Sequence, residues 1–550
     1  MSAVETRSAL DPVTLEIAWG RLQAVTDEAE VTLIRTCFSP IIREAFDFGV
    51  VLLDGDGGSV TQSQRSMPSF VGTLPRTLRA ALDRFPAETW RPGDVVGTND
   101  PWLGTGHLPD VTMVRPVFRK GRIIAYFGCI GHWADIGGAI WSADCHELFE
   151  EGLRIPLGKL AVDGKFDEML LRVIMGNVRL PEQVRGDIYA QLATMEVGER
   201  RLNELLDELE VDDPKPIFDE IQRRSEAAMR AAISSIQDGT YVNEIEIDGI
   251  DRPLLLRAAV TVEGDEMHID WTGSAEQTNW AINDSFNHSY AMSVYPVKCA
   301  LCPDVPNNQG SYRPIRMTAP EGTIVNCKYP AAVASRQIIG HYLSAVVFGA
   351  LAKVVPDRVL ADSGSPCPRF VFSGLWPDGR KFGSAFLLSG GMGAQVSRDG
   401  LSAAPWPSNA GTTAAEIVES NTPLIFRRRA LIADSGGAGK FRGGLGVATS
   451  IQLRGNTAAI LSMMTDRVDH PPLGLFGGLA GTPNVLTRTS GEPIEPKSRT
   501  EVHPGEVVTM ETPGGGGYGL AADRDRKSIE RDIEYGYITP EAARRVYGYR

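Results

Sequence analysis

Asn99-Asp-Pro-Trp-Leu-Gly-Thr-Gly-His107-Leu-Pro-Asp110 and Gly131-His132-Trp-Ala-Asp135-Ile-Gly-Gly138 spell His-x-x-Asp twice, the two histidines twenty-five residues apart. Between them lie two apolar runs, Val111 to Phe118 and Ile123 to Ile130, separated by Arg-Lys-Gly-Arg. Two β-branched and aromatic runs around a short glycine-bearing loop read as a β-hairpin. With Lys120-Gly121 as the turn, residues whose numbers sum to about 241 face each other. Asp110 is then expected opposite Gly131 and Pro109 opposite His132. Both copies of the motif reach the same open end.

A divalent ion gathers ligands that are distant in sequence and close in space, and zinc takes imidazole nitrogen and carboxylate oxygen at about 2.0–2.2 Å. Two histidines and one aspartate supply three ligands. Pro109 pushes Leu108 extended, and Gly104, Gly106, Gly131, Gly137 and Gly138 let the flanking loops bend. A lone His-x-x-Asp can equally cap a strand and close a turn. The duplication, together with the expected pairing, turns the reading toward a metal.

The chain has 550 residues, 43% hydrophobic and 23% charged, with a net charge of −14. That length allows two to four domains around a large core. The negative balance argues against a generic affinity for nucleic acid or anionic membrane, and no basic run carries interleaved aromatics. Seven scattered cysteines point to a reducing compartment rather than a disulfide framework. Cys299-x-x-Cys302 lacks a second pair at zinc-ribbon spacing and reads as structural. Met-Ser-Ala-Val-Glu-Thr-Arg has no apolar signal core, and no apolar stretch reaches membrane-spanning length, so the expectation is a cytoplasmic protein.

Asp11-Pro12 is an N-cap and first-turn proline, followed by apolar residues at Leu15, Ala18, Leu22, Val25, Ala29 and Leu33, which predicts a helix to about Arg35. Arg43 to Gly49 precedes a strand at Val50 to Leu53, and Asp47 stands where either a fourth ligand or a turn residue would. Helical spacing from Leu180 to Leu209 and from Pro216 to Ile236 predicts a helical linker. Short strands begin near residue 237, at Val242 to Ile247, Leu254 to Val262 and Met267 to Trp271. Glycine-rich runs then alternate with short apolar runs as in a β-rich domain, and Thr539-Pro-Glu caps a last helix. The expected fold is α+β and multidomain. A metal-binding α/β domain spans 1–180, a helical linker 181–236, a β-rich middle domain 237–430 and a glycine-rich β domain 431–550.

Glycine loops invite a nucleotide-binding reading, which fails here. Gly436-Gly-Ala-Gly-Lys440-Phe has Asp434 where a phosphate loop needs its first glycine and Phe441 where it needs a hydroxyl. Gly514 to Gly517 is followed by neither lysine nor hydroxyl and reads as a tight turn. Asp434-Ser435-Gly436-Gly437 echoes a chymotrypsin-like loop, without enough around it to suggest that fold. The chain has no ATP site of its own in this reading.

Over essentially its whole length the sequence resembles the hydantoinase B/oxoprolinase family. The residues that carry the resemblance are Arg43 to Gly49, Asn99-Asp-Pro, His107-Leu-Pro-Asp110, His132-x-x-Asp135, Glu150-Glu-Gly-Leu-Arg-Ile-Pro, Asn177-Val-Arg, Pro306-x-Asn-x-Gly310, Arg313-Pro, Pro320-Glu-Gly-Thr, Asp434-Ser-Gly-Gly-Ala-Gly, Arg442-Gly-Gly-Leu-Gly and the late glycine run. The resemblance implies metal ligands at Asp47, His107, Asp110 and His132. Two departures concern the substrate: Phe70 and Trp133 stand where many relatives have histidine, and Ala139-Ile-Trp141-Ser replaces Pro-Gly-Ser-Met. Phe70, Trp102, Trp133 and Trp141 are therefore candidates for an apolar substrate pocket or for ordinary core.

The resemblance also implies the chemistry. The family comprises metal-bearing subunits of ATP-dependent cyclic-amide hydrolases, related to acetone and acetophenone carboxylases. A separate actin-like ATPase subunit, using ATP and magnesium, phosphorylates the substrate carbonyl oxygen. Water activated by zinc or manganese, its pKa lowered to about 7, then completes ring opening of a hydantoin, 5-oxoproline or lactam. Asp135 is expected to orient a ligand imidazole or to accept a proton. The alternatives are a ketone carboxylase subunit, which would need bicarbonate, and a non-catalytic scaffold for the ATPase, which would hold no metal.

Overall fold

The computed structural model describes residues 11–139 and 141–550. The N-terminal heptapeptide and Ile140 of the Ala139-Ile-Trp141 departure lie outside the described residues.

The first helix, Pro12–Thr36, starts where Asp11 accepts a hydrogen bond from the Thr14 amide at 2.9 Å. Its stripe of Leu15, Ala18, Leu22, Val25, Ala29 and Leu33 is buried, partly against the long helix Pro181–Glu208. That second helix is no free linker: it lies on the N-terminal sheet. Asp187 on it accepts from the Phe38 and Ser39 amides at 2.8 and 3.1 Å, and Gln191 donates to the Val111 carbonyl at 2.9 Å. The next helix, Lys215–Ser234, follows a break at Val211-Asp-Asp-Pro.

The N-terminal sheet contains β1 (Phe48–Asp54), β2 (Ser59–Gln62), β3 (Val95–Thr98), β4 (Asp110–Arg119), β5 (Arg122–His132), β6 (Gly158–Val162) and β7 (Lys165–Phe166), in the spatial order β2-β1-β5-β4-β3-β6-β7 and antiparallel throughout. The expected hairpin is β4–β5. Lys120 and Gly121 both take positive φ, 48° and 78°, as a two-residue hairpin turn of the type I′ class requires. Near the turn Phe118 faces Ile123, but an irregularity at Val117/Phe118 shifts the register by one residue, so Asp110 faces His132 directly rather than Gly131. This corrects the sequence-based pairing and brings the two motifs closer.

A second sheet holds β8 (Gly239–Ile247), β9 (Leu254–Glu263), β10 (Glu266–Asp270) and β11 (Ile315–Thr318), the last pair parallel. Helices Phe286–Leu301 and Gln337–Leu351 pack on each other, and the second also packs on β8 and β9. The remaining strands form two four-stranded antiparallel sheets. One runs β13 (Lys381–Leu387), β12 (Arg369–Leu375), β16 (Ala459–Met464), β18 (Arg499–Val502). The other runs β14 (Leu424–Leu431), β15 (Val447–Leu453), β19 (Val507–Glu511), β17 (Val485–Arg488). Phe370, Phe372, Phe386, Ile451, Leu461 and Met510 form the apolar core these sheets share.

Three of the glycine runs outside these strands are not turns. Gly514 to Gly517 is a buried, extended run, as are the segments around Gly391 and Gly443. Their backbones bond side by side: Gly391 N–H to the Pro513 carbonyl at 2.8 Å, Gly444 N–H to Met392 at 2.8 Å, Gly515 N–H to Gly444 at 2.9 Å. A Cβ built on Gly443 would lie 1.9 Å from the Gly515 oxygen, and one on Gly391 would lie 1.9 Å from the Gly444 oxygen. The sequence demands glycine here because chain lies against chain. The tight-turn reading of Gly514 to Gly517 is therefore replaced by a layer of adjoining glycine segments, in which the Gly515, Gly516 and Gly517 amides bond the Gly444, Asp362 and Leu479 carbonyls.

A candidate metal centre at the open end of the hairpin

Three adjacent strands bring the motifs together. Asp47 precedes β1, Asp110 opens β4 and His132 closes β5, and the strand order β1-β5-β4 places these ends side by side. The Asp47 carbonyl accepts the His132 amide at 3.1 Å, and the Pro109 carbonyl accepts the Trp133 amide at 2.9 Å. Asn99 ties down the loop that carries His107, its side chain donating to the Leu108 and Leu153 carbonyls and accepting from the Ile155 amide.

His107, Asp110 and His132 each offer a buried ligand atom, all within 4.8 Å of one another. His107 Nδ1 faces the Ala334 carbonyl at 3.1 Å and His132 Nδ1 faces the Trp133 carbonyl at 3.0 Å. A carbonyl only accepts, so each Nδ1 carries the proton and each Nε2 presents a bare lone pair. Both Nε2 atoms, and Oδ1 of Asp110, are buried without a hydrogen-bond partner. His107 Nε2 moreover lies 3.0 Å from Asp110 Oδ2. Buried lone pairs so arranged suit a cation among them, and this donor set fits a divalent ion.

The protonation states agree. Burial, reinforced by the Arg336 charge, lowers the His107 pKa, and burial pushes His132 down to about 3, so both imidazoles are neutral. Burial works against the charge on Asp110, but the groups around it, the Arg336 guanidinium among them, hold the carboxyl below its usual range. Arg336 donates to Asp110 Oδ2 at 2.6 Å and Thr105 Oγ1 donates to the same oxygen at 2.7 Å. Neutral imidazoles beside an ionised carboxylate are the forms that bind metal.

Asp47 is buried nearby, outside that three-residue cluster, and lines the same small cavity as His107. Burial and the neighbouring Asp110 charge push its carboxyl up to about 8. Asp135 is buried too, but its carboxylate accepts from the Gly137 amide at 2.9 Å and from Arg179 Nη1 at 3.0 Å. The orienting contact expected of it is made by main chain instead, through the Trp133 and Ala334 carbonyls. Glu151, within the Glu150-Glu-Gly-Leu motif, accepts from the Val333 and Ala334 amides and so fixes the peptide that holds His107. Burial pushes the Glu151 pKa up to about 8.

Two cavities flank the cluster. The larger, about 850 Å³ including its mouth, is lined by His132, Trp133, Asp135 and Trp141 and by apolar walls from Ile41, Ile136, Val371 and Val418. The smaller, about 350 Å³, is lined by Asp47, His107, Arg336, Gln337, His341 and Arg369. Trp141 lines both, its ring 4.5 Å from that of His132 and its indole N–H bonded to the Ala334 carbonyl at 2.9 Å. Trp102 lines neither: it donates to the Cys327 carbonyl at 2.9 Å. Phe70 is core, packed over Gly49. Arg336, Arg369 and Gln337 escaped the sequence reading because no local pattern marks them.

The sequence profile described as hydantoinase B/oxoprolinase matches residues 11–521. The chain belongs to that family. Among family relatives, the caprolactamase subunit beta of Pseudomonas jessenii is 29% identical over 98% of this chain and 96% of that one. The crystal structure of the ATP-dependent caprolactamase from the same organism superposes with a TM-score of 0.91 at 29% identity, over 98% of this chain and 96% of that chain. The 5-oxoprolinase of Dictyostelium discoideum is 27% identical over 93% of this chain, which spans 40% of that longer protein. A nucleotide-free acetone carboxylase structure shares the fold, with a TM-score of 0.87 at 20% identity over 98% of this chain and 80% of that one. The family's mixed α/β, multidomain architecture is the one described above. Among the described residues no helix is long and apolar enough to cross a membrane.

Proposed function

We propose that this chain is the metal-bearing subunit of an ATP-dependent cyclic-amide hydrolase, acting on a lactam, hydantoin or 5-oxoproline-like ring together with an actin-like ATPase subunit. The observation that carries this reading is the buried His107-Asp110-His132 cluster, with its unpartnered lone pairs, beside an apolar cavity. The full-length similarity to a caprolactamase beta subunit supports it.

In this reading His107, Asp110 and His132, with Asp47 as fourth ligand, would hold a zinc or manganese ion. When bound, such an ion supplies Lewis acidity and a water that ionises near neutral pH. The chain's own residues do the rest. Ala334 and Trp133 carbonyls keep the imidazoles in one tautomer, and Arg336 with Thr105 keeps Asp110 ionised and fixed. Ile41, Ile136, Val371 and Val418 seat the apolar part of the ring and exclude bulk water, with Trp133 and Trp141 closing the wall. Asp135 is a positioning residue that anchors the Gly137–Gly138 bend through Arg179. An amide's resonance resists attack, which is why phosphorylation by a partner comes first. No loop of this chain supplies the lysine and hydroxyl that a phosphate-binding loop needs.

The test is ring opening of ε-caprolactam, hydantoins and 5-oxoproline by the purified chain, with and without the ATPase subunit. Turnover is expected only with both chains, ATP and metal. Ring opening by this chain alone without ATP would overturn the coupled reading, and a strict bicarbonate requirement would replace it with carboxylation.

A further inference from the structure

The smaller cavity contains a cation that has no ion-pair partner among the described residues. Arg369, at the start of β12, is 4% exposed, and its Nε and Nη2 make only long contacts, 3.4 and 3.3 Å, to the Cys367 carbonyl. Its guanidinium stacks 4.3 Å over the Trp141 ring. Among the described residues it forms no ion pair, whereas the neighbouring Arg336 is bonded to Asp110. A buried guanidinium left without a carboxylate is costly unless a ligand completes it.

A second orphan faces the same space. Gln337, 3% exposed, has both its side-chain oxygen and its nitrogen buried without a partner, and it lines the cavity with Arg369. His341 Nδ1 accepts the Cys367 amide at 3.1 Å, which leaves its Nε2 as the proton-bearing nitrogen. It lines the cavity as well, and Asp47 and His107 form the wall toward the metal cluster. Donors therefore dominate the wall away from the cluster, around a cavity of about 350 Å³ including its mouth.

We infer that Arg369, with Gln337, forms a subsite for the phosphoryl group borne by an activated substrate. This rests on the proposed ATP-dependent hydrolysis and adds a binding site to it. The apolar body of the substrate occupies the larger cavity, its phosphoryl group the smaller one, and the carbon between them meets the metal cluster across Trp141. Arginine suits the task because its planar fork matches phosphate oxygens, and stacking on Trp141 fixes the plane of that fork.

The test is calorimetric titration of the full-length chain with orthophosphate, phenyl phosphate and bicarbonate, repeated on His132→Ala to remove direct anion binding to metal. Orthophosphate is expected to bind saturably in both proteins. Phenyl phosphate is expected to bind the wild-type chain more tightly, because its ring reaches the apolar cavity. Arg369→Met should weaken phosphate by about 10-fold or more, as loss of charged hydrogen bonds does, with the metal content unchanged. If Arg369→Met does not fold, Arg369→Lys carries the test, since a point charge without the fork should bind phosphate measurably less well. Phosphate binding unaffected by Arg369 replacement, a preference for bicarbonate, or weaker binding of phenyl phosphate than of orthophosphate would overturn the subsite. Ring opening with the partner is a separate readout. Phosphate binding that depends on Arg369 without ring opening would leave the subsite standing and refute the hydrolase reading, and the converse would refute only the subsite.

Discussion

Asp135 and Asp110 occupy equivalent places in the two His-x-x-Asp copies, yet their surroundings separate their roles. Asp110 faces the imidazoles and Arg336, whereas Asp135 is turned to Arg179 and the Gly137 amide. Asp135→Asn keeps an acceptor for the Gly137 amide and loses the charge that holds Arg179. It should retain most of the bound metal and lower turnover by about 10–100-fold, the range seen when groups behind a site are altered. Metal analysis beside an activity assay checks this. Complete loss of metal would make Asp135 a direct ligand, and unchanged activity would leave it a turn residue. The roles of Arg336 and Arg369 were illegible in the sequence for a physical reason. Arg336 reaches Asp110 across 226 positions, and an arginine's neighbours in sequence say nothing about which carboxylate or cavity it meets.

At the scale of elements, two features make opposite demands on stability. Asp187 joins the helix Pro181–Glu208 to the end of the helix Pro12–Thr36, accepting from the Phe38 and Ser39 amides, and burial pushes its carboxyl up to about 6. The folded state thus holds its proton to higher pH than the unfolded chain, so this group contributes a loss of stability as pH rises from about 4 to about 6, amounting to about 3 kcal/mol above that window. Asp187→Asn, which still accepts the amides, should flatten this slope in urea unfolding measured across the window. An identical slope in wild type and variant would contradict the assignment.

Glycine supplies the second test, because the same substitution changes sign with location. A Cβ on Gly443 would fall 1.9 Å from the Gly515 oxygen, so Gly443→Ala should cost at least about 3 kcal/mol or leave the protein insoluble. A Cβ on Gly20, in the helix Pro12–Thr36, meets nothing within 4 Å, so Gly20→Ala should add up to about 1 kcal/mol. Thermal unfolding of the pair checks this, and comparable effects at both positions would refute the close-packed glycine layer. In that layer Gly514 to Gly517 was read from sequence as a tight turn. Glycine repeats mark both tight turns and close backbone approach, and only the partner segment, scores of residues away, tells them apart. The hairpin was legible because two apolar runs and a Lys-Gly turn are local signals. Its register was off by one because the irregularity at Val117/Phe118 has no signature in residue type.

Over the whole molecule, the N-terminal sheet supplies the cluster and the remote segments complete it. Ala334 and Arg336 hold His107 and Asp110, while β12 and β13 contribute Val371 and Ala385 to the larger cavity. The duplicated motif revealed the cluster; the cavities, built from segments hundreds of residues apart, needed the fold. If the open end of the β4–β5 hairpin is a metal centre, elemental analysis of the purified chain finds the ion there. One divalent ion per chain is expected in the wild type. His107→Ala and His132→Ala should each retain less than about a tenth of that ion while unfolding at nearly the wild-type temperature, because structural and catalytic metal sites depend on every ligand. Full metal occupancy in both variants, or none in the wild type after growth and purification with zinc or manganese, would contradict the account.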